Sequence, residues 1–135
     1  MSRKNKGNVY KESNLRFLDE NKTKEGVVQL TGGVQYRILE EGEGKIPGAT
    51  SLVQVYYKGY FIDGKEFDSN MNDTLPALFR VHEVIEGWQD VLRIMPVGST
   101  WEVFIPYTKG YGNRPEGNIK GFSTLIFEIK LVSIA

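Results

Sequence analysis

Apolar residues alternate with polar ones in four stretches of this chain, while only one stretch carries a strong apolar stripe at helical spacing. Val34, Tyr36 and Ile38 alternate with Gln35 and Arg37, and Val53, Val55 and Tyr57 with Gln54, Tyr56 and Lys58. Trp101, Val103 and Ile105 share one face, with Thr100, Glu102 and Phe104 on the other. Leu125, Phe127, Ile129 and Leu131 close the chain in the same rhythm. A period of two is the signature of strands with one face turned to a core. Trp88, Val91, Leu92 and Met95 stand at i, i+3, i+4 and i+7, a single helical stripe that Pro96 and Gly98 stop. One helix among several antiparallel strands predicts an α+β domain, with the stripe covering one face of a twisted sheet.

Turn chemistry divides these elements. Glu41-Gly42-Glu43-Gly44 and Pro47-Gly48 form a polar connection, and Asp63-Gly64 supplies a tight turn that returns the chain through Lys65-Glu66-Phe67-Asp68. A glycine-rich loop runs from Pro106 to about Gly121. Residues 1–30 differ from the rest: they are polar and rich in Lys and Asn, with Leu15 and Leu18 three apart. Ser13 or Asn14 is the expected cap of a helix running towards Lys24, ended by Gly26. The expected division is a helical extension over 1–30 and a domain over 31–135. The extension reads as a solvated arm packing one or two side chains, or as a dimerisation arm.

With 135 residues there is little room for a second core. The 17 basic and 17 acidic side chains cancel, so the basic excess of an extended nucleic-acid surface is missing. The absence of cysteine removes disulfides, thiolate catalysis and cysteine-ligated zinc, and a single histidine, His82, leaves almost no material for a His-rich metal site. His82 beside Glu83 reads as a surface histidine rather than an orienting pair, and no nucleophile elbow, metalloprotease motif, phosphate loop or dinucleotide fingerprint occurs. Ser2-Arg3-Lys4-Asn5-Lys6 resembles the start of a signal peptide, but no apolar region follows and no run reaches transmembrane length. The chain as given reads as cytoplasmic and away from membranes; a periplasmic protein with its export signal removed would read the same.

Tyr57, Phe67, Phe79, Trp88, Tyr111 and Phe127 fall at strand ends, at the helix start and in the glycine-rich loop. Core packing accounts for all six. The other reading is a shallow apolar pocket edged by the Asp68 carboxylate and the Tyr111 phenol.

The chain resembles the FKBP family of peptidyl-prolyl cis/trans isomerases in six blocks taken in order. They are Val53-Gln54-Val55-Tyr56-Tyr57-Lys58-Gly59 with Asp63-Gly64-Lys65-Glu66-Phe67-Asp68-Ser69, Val84-Ile85-Glu86-Gly87-Trp88, Met95-Pro96-Val97-Gly98, Ile105-Pro106, Tyr111-Gly112, and Thr124-Leu125-Ile126-Phe127-Glu128-Ile129. Phe17 to Val27 is similar to the helix-to-domain junction of bacterial macrophage-infectivity-potentiator-type members, which dimerise through a longer helical region. The resemblance implies an antiparallel sheet wrapped around one short helix, and acceleration of rotation about X-Pro bonds without a cofactor, a metal or a covalent step. It implies Trp88, Phe67, Asp68 and Tyr111 as the catalytic set, and Tyr57, Phe79, Val84, Ile85, Phe127 and the flap residue Ile119 as substrate-binding. Proline-containing polypeptides and macrolide inhibitors are the implied ligands, and a monomer or weak dimer through the N-terminal helix the implied state. The same groove could serve a non-catalytic binding module or a holdase chaperone, and the arm could serve a structural adaptor. Three departures lie beside the site: the flap reads Ile119-Lys120-Gly121 where the family has Ile-Pro-Pro, Gly110 replaces an alanine, and the segment from Tyr111 to Phe127 is slightly short. The first predicts a flap that has lost rigidity and gained a charge.

Overall fold

The computed structural model describes residues 6–135, and the basic run Ser2–Lys6 lies outside them except for Lys6. Among the described residues a helix, α1 (Lys6–Asn21), is followed by seven strands and one further helix. The strands are β1 (Val27–Gln29), β2 (Gln35–Glu40), β3 (Leu52–Tyr60), β4 (Glu66–Ser69), β5 (Ala77–Arg80), β6 (Thr100–Ile105) and β7 (Leu125–Ile134). The second helix, α2 (Glu86–Leu92), lies between β5 and β6. All pairings are antiparallel, in the order β1-β2-β6-β7-β3-β4, with β5 also on β3.

In β3, β6 and β7 the alternation places the apolar side chains on the expected face. Val53, Val55, Val103, Ile105, Leu125, Phe127, Ile129 and Leu131 turn inward and pack with Trp88, Val91, Leu92 and Met95 in one core. Helix α2 is short, and Met95 lies beyond its last turn yet is fully buried. Gly87 lets it approach: a Cβ there would stand 2.5 Å from the Ile105 Cγ2. The Asp63-Gly64 turn is formed, with Gly64 at φ 87° and the Asp63 carboxylate accepting from the Lys65 N–H. Strand β2 departs from its pattern at its far end, where Ile38 is exposed.

The N-terminal segment differs from expectation in three ways. Helix α1 begins seven or eight residues before the anticipated caps, so Ser13 and Asn14 lie mid-helix. Their side chains bond back to the carbonyls of Val9 and Tyr10, as short polar side chains inside helices do. The helix stops at Asn21, ahead of Gly26, which instead serves the turn into β1 at φ 81°.

The helix also crosses the outer face of the sheet. Gln35, Phe104, Ile126 and Tyr60 form one register row across β2, β6, β7 and β3. Leu18 packs with Phe104 and Ile126, with Phe17, Tyr60 and Ile62 against them, in a second small core. A buried amide network ties down the end of the helix: Asn21 donates to the Gln35 side chain at 2.8 Å, and Gln35 donates to the Leu18 carbonyl at 2.9 Å. Strand β1, within the expected extension, pairs with β2.

Candidate active site

Four strands, the start of α2 and the glycine-rich loop converge on one open hollow of about 390 Å³. Strand β3 contributes Tyr57, β4 contributes Phe67 and Asp68, β5 contributes Phe79, and the approach to α2 contributes Val84, Ile85 and Trp88. Phe127 comes from β7, and Tyr111 from the glycine-rich loop. Trp88 is the hub: Tyr57, Phe79 and Phe127 meet it edge to face with ring centroids 5.2, 5.6 and 5.3 Å away. Such edge-to-face pairs each contribute about 0.5–1.5 kcal/mol beyond the area they bury, so the floor is stiff. Trp88 is 4% exposed, yet the hollow opens onto it, so the indole serves core and pocket together.

Gly59 makes the hollow fit. It stands opposite Phe127 in the β3–β7 ladder, and a Cβ there would lie 2.7 Å from Phe67 and 2.8 Å from Phe127. With no side chain, the two rings close over the strand at a centroid distance of 5.5 Å.

Few polar groups line the hollow. The Tyr57 hydroxyl donates to the Asp68 Oδ2 at 2.8 Å. Burial, then that hydrogen bond and the charge of Asp68, push the Tyr57 phenol well above its usual range. Burial, followed by the nearby charges of Glu116 and Asp68, also raises the Tyr111 phenol. Both phenols therefore stay protonated at neutral pH, and Tyr111 keeps a hydroxyl to offer.

The hollow gathers every residue named from the sequence except Ile119, which is buried in the main core and does not line it. Glu83 also lines the hollow, though the sequence pattern does not single it out; its place immediately before Val84 is the available signal. His82 lies outside the lining, exposed, with its Nδ1 3.2 Å from the Ala49 carbonyl. A second cavity, about 270 Å³, lies on the opposite face between α1 and the sheet, lined in part by Phe17, Tyr60, Arg37 and Glu102.

An antiparallel sheet wrapped on one short helix, with a tryptophan-floored hollow at the start of that helix, defines an α+β domain with a pocket shaped for a largely apolar ligand. The comparisons with known proteins agree. A family model described as FKBP-type peptidyl-prolyl cis-trans isomerase matches residues 43–132, and one described as the domain amino terminal to it matches residues 1–38. The chain belongs to the FKBP-type peptidyl-prolyl cis-trans isomerase family, and its relatives include members of the bacterial macrophage-infectivity-potentiator type. It is 47% identical over 121 residues to the FKBP-type 22 kDa peptidyl-prolyl cis-trans isomerase of Escherichia coli, covering 89% of this chain and 59% of that protein. It is 48% identical over 119 residues to the outer membrane protein MIP of Legionella longbeachae, covering 87% of this chain and 51% of that protein. The chain thus spans little more than half the length of these relatives. A solved peptidyl-prolyl cis-trans isomerase from Pseudomonas syringae superposes with a TM-score of 0.89 at 34% identity, covering 99% of both chains. No described helix is long and apolar enough to cross a membrane.

Proposed function

We propose that this chain accelerates cis/trans rotation about X-Pro bonds in polypeptides, with the hollow above Trp88 as its active site. The observation that carries this reading is the segregation of the pocket, apolar at floor and walls, with Asp68, Glu83, Tyr111 and the Tyr57 hydroxyl as its polar lining groups. An X-Pro bond is a tertiary amide whose barrier of about 18–20 kcal/mol comes from resonance. Water favours the planar, charge-separated form. Twisting by a right angle removes the resonance and shrinks the dipole. An apolar pocket therefore penalises the planar amide more than the twisted one, which is differential binding of the transition state. A preference of about 5.5 kcal/mol would give about 10⁴-fold.

In this reading Trp88, Phe79, Val84 and Ile85 grip the proline ring, while Tyr57, Phe67 and Phe127 exclude water. Tyr111 donates to a substrate carbonyl, and Asp68 acts electrostatically near the twisting carbonyl through the oxygen not engaged by Tyr57. No proton changes hands. Ile119 acts behind the wall instead of touching substrate. Macrolide inhibitors would fill the same hollow. Residues 31–135 carry the activity, and 1–30 act as an extension that packs Phe17 and Leu18 on the sheet and leaves Val9 and Leu15 exposed, which fits a monomer or a weak dimer through this helix. The cytoplasmic expectation gains no support from the relatives, one of which is titled an outer membrane protein, so an exported site is the better reading.

The test is the exchange of cis and trans signals of an Ala-Pro peptide by nuclear magnetic resonance, with Trp88 fluorescence followed alongside. Faster exchange is expected. Quenching without faster exchange would identify a binding module or holdase instead.

A further inference from the structure

The loop that brings Tyr111 to the pocket is tied down at both ends. At its entry, the Lys109 ammonium lies 3.2 Å from Glu86 and 3.3 Å from Asp90, the two α2 carboxylates on either side of Trp88 in sequence. At its exit, residues 120–124 are held by α1. The Asn14 Oδ1, buried, accepts the Thr124 N–H at 2.7 Å. The Tyr10 and Ser123 hydroxyls are 2.9 Å apart, and because the Ser123 proton goes to the Lys120 carbonyl, Tyr10 is the donor. The Lys120 ammonium lies 5.3 Å above the Tyr10 ring, so the charge that replaces a family proline has its partner on the helix.

Phe122 sits between these contacts at φ 68°, a backbone region that bulky side chains rarely enter. Its ring meets the Tyr107 ring edge to face at 5.0 Å, and the Lys11 ammonium lies over both rings, 5.1 Å from Phe122 and 5.7 Å from Tyr107. Its N–H donates to the Gly112 carbonyl at 2.9 Å, one residue from Tyr111. A continuous path of direct contacts therefore runs from α1 through residues 122–124 to the residue beside the pocket phenol. Within the loop, Glu116 and Ile119 bridge each other, and Gly121 packs so closely that a Cβ would stand 2.3 Å from the Asn113 carbonyl.

We propose that α1 is a latch that sets the position of the flap, with Tyr10 and Asn14 acting as positioning residues for Tyr111. The helix supplies from outside the stiffness that Lys120-Gly121 cannot supply locally. This rests on the isomerase reading for its consequence in turnover, although the mechanical link does not.

The test compares Asn14→Leu, Asn14→Asp, Tyr10→Phe and, as a control on the exposed side of the same helix, Ser13→Ala, all in the full chain. Amide hydrogen exchange is measured without substrate, and KM and kcat with an Ala-Pro peptide anilide. Asn14→Leu should speed exchange at residues 111–124 selectively and raise KM about 3- to 10-fold, the range expected for the one of its two hydrogen bonds that reaches the flap. Its kcat should change by less than about twofold, because uniform binding is what is lost. Asn14→Asp keeps the acceptor for Thr124 but sets a second carboxylate oxygen against the Tyr10 carbonyl, so it should protect residues 111–124 from exchange better than Asn14→Leu without reaching the parent, and Ser13→Ala should match the parent. Should Asn14→Leu fail to fold, Tyr10→Phe removes a single oxygen and carries the same comparison. Unchanged exchange at 111–124, or faster exchange spread evenly over the sheet, would overturn the latch. If the parent chain does not accelerate the peptide, the isomerase reading fails, and the exchange data still decide whether the helix holds the flap.

Discussion

Replacing Trp88 by phenylalanine separates its work in the pocket from its work in the core. The indole is almost fully buried and meets three rings edge-on. Phenylalanine keeps an aromatic floor but gives up roughly 40 Å³, and at about 24 cal/mol per Å³ that void costs about 1 kcal/mol. An opposing contribution comes from the indole N–H, which is buried with no hydrogen-bond partner among the described residues. Deleting an unsatisfied donor returns about 1 kcal/mol or more. The two nearly cancel, so Trp88→Phe should shift Tm by no more than about 5 °C for a chain of this size. Alanine gives up roughly 140 Å³ and should cost about 3 kcal/mol by the same coefficient. Turnover should separate from stability: with the floor lowered beneath the proline ring, Trp88→Phe should reduce kcat/KM about tenfold, or about 1.4 kcal/mol of transition-state binding. Thermal unfolding and the Ala-Pro exchange assay at matched folded fraction measure the two separately. If both variants retained the parent's kcat/KM once corrected for unfolded protein, the indole would be serving the core alone, and the pocket mechanism would be wrong.

Asp68→Leu should keep kcat/KM within about fivefold, because an exposed carboxylate acting through space is largely screened; loss as complete as in Trp88→Ala would point to proton transfer. A double-mutant cycle with Tyr57→Phe should show coupling of about 0.5–1.5 kcal/mol for their hydrogen bond. Gly59→Ala would force apart the rings of Phe67 and Phe127, and should cost about 1–3 kcal/mol of stability together with most of the turnover, measured by urea unfolding and peptide exchange. The Tyr57 and Tyr60 phenols are both raised in the folded chain, foremost by burial and then by their bonds to Asp68 and Glu102. Unfolded tyrosines lose their protons near pH 10, so the stability these phenols contribute is complete below about pH 10 and is lost as pH rises towards the folded values. Urea midpoints between pH 8 and 11 should fall on the alkaline side, and Tyr60→Phe should flatten that fall.

What local pattern can encode was legible in the sequence. The period-two stretches became β2, β3, β6 and β7, the single stripe became α2 with Met95 just beyond it, and Asp63-Gly64 became the turn, since each rests on contacts within a few residues. The pocket's aromatic residues were legible only through family resemblance, because spacing alone fits a core equally well; Trp88 proves to be part of both. The tertiary structure decided the rest. Asn14 looked like a helix cap because its local chemistry suits one, but its partner is Thr124, 110 residues away. Gln35 occupied a polar position in the alternation, yet it is buried because Asn21 and the Leu18 carbonyl satisfy its amide. Ile119 is in the core and Glu83 at the hollow because the loop folds back on itself and α2 begins where it does. Side chains whose partners are remote in sequence leave no periodic signal, so their roles appear only when the sheet and both helices are in place.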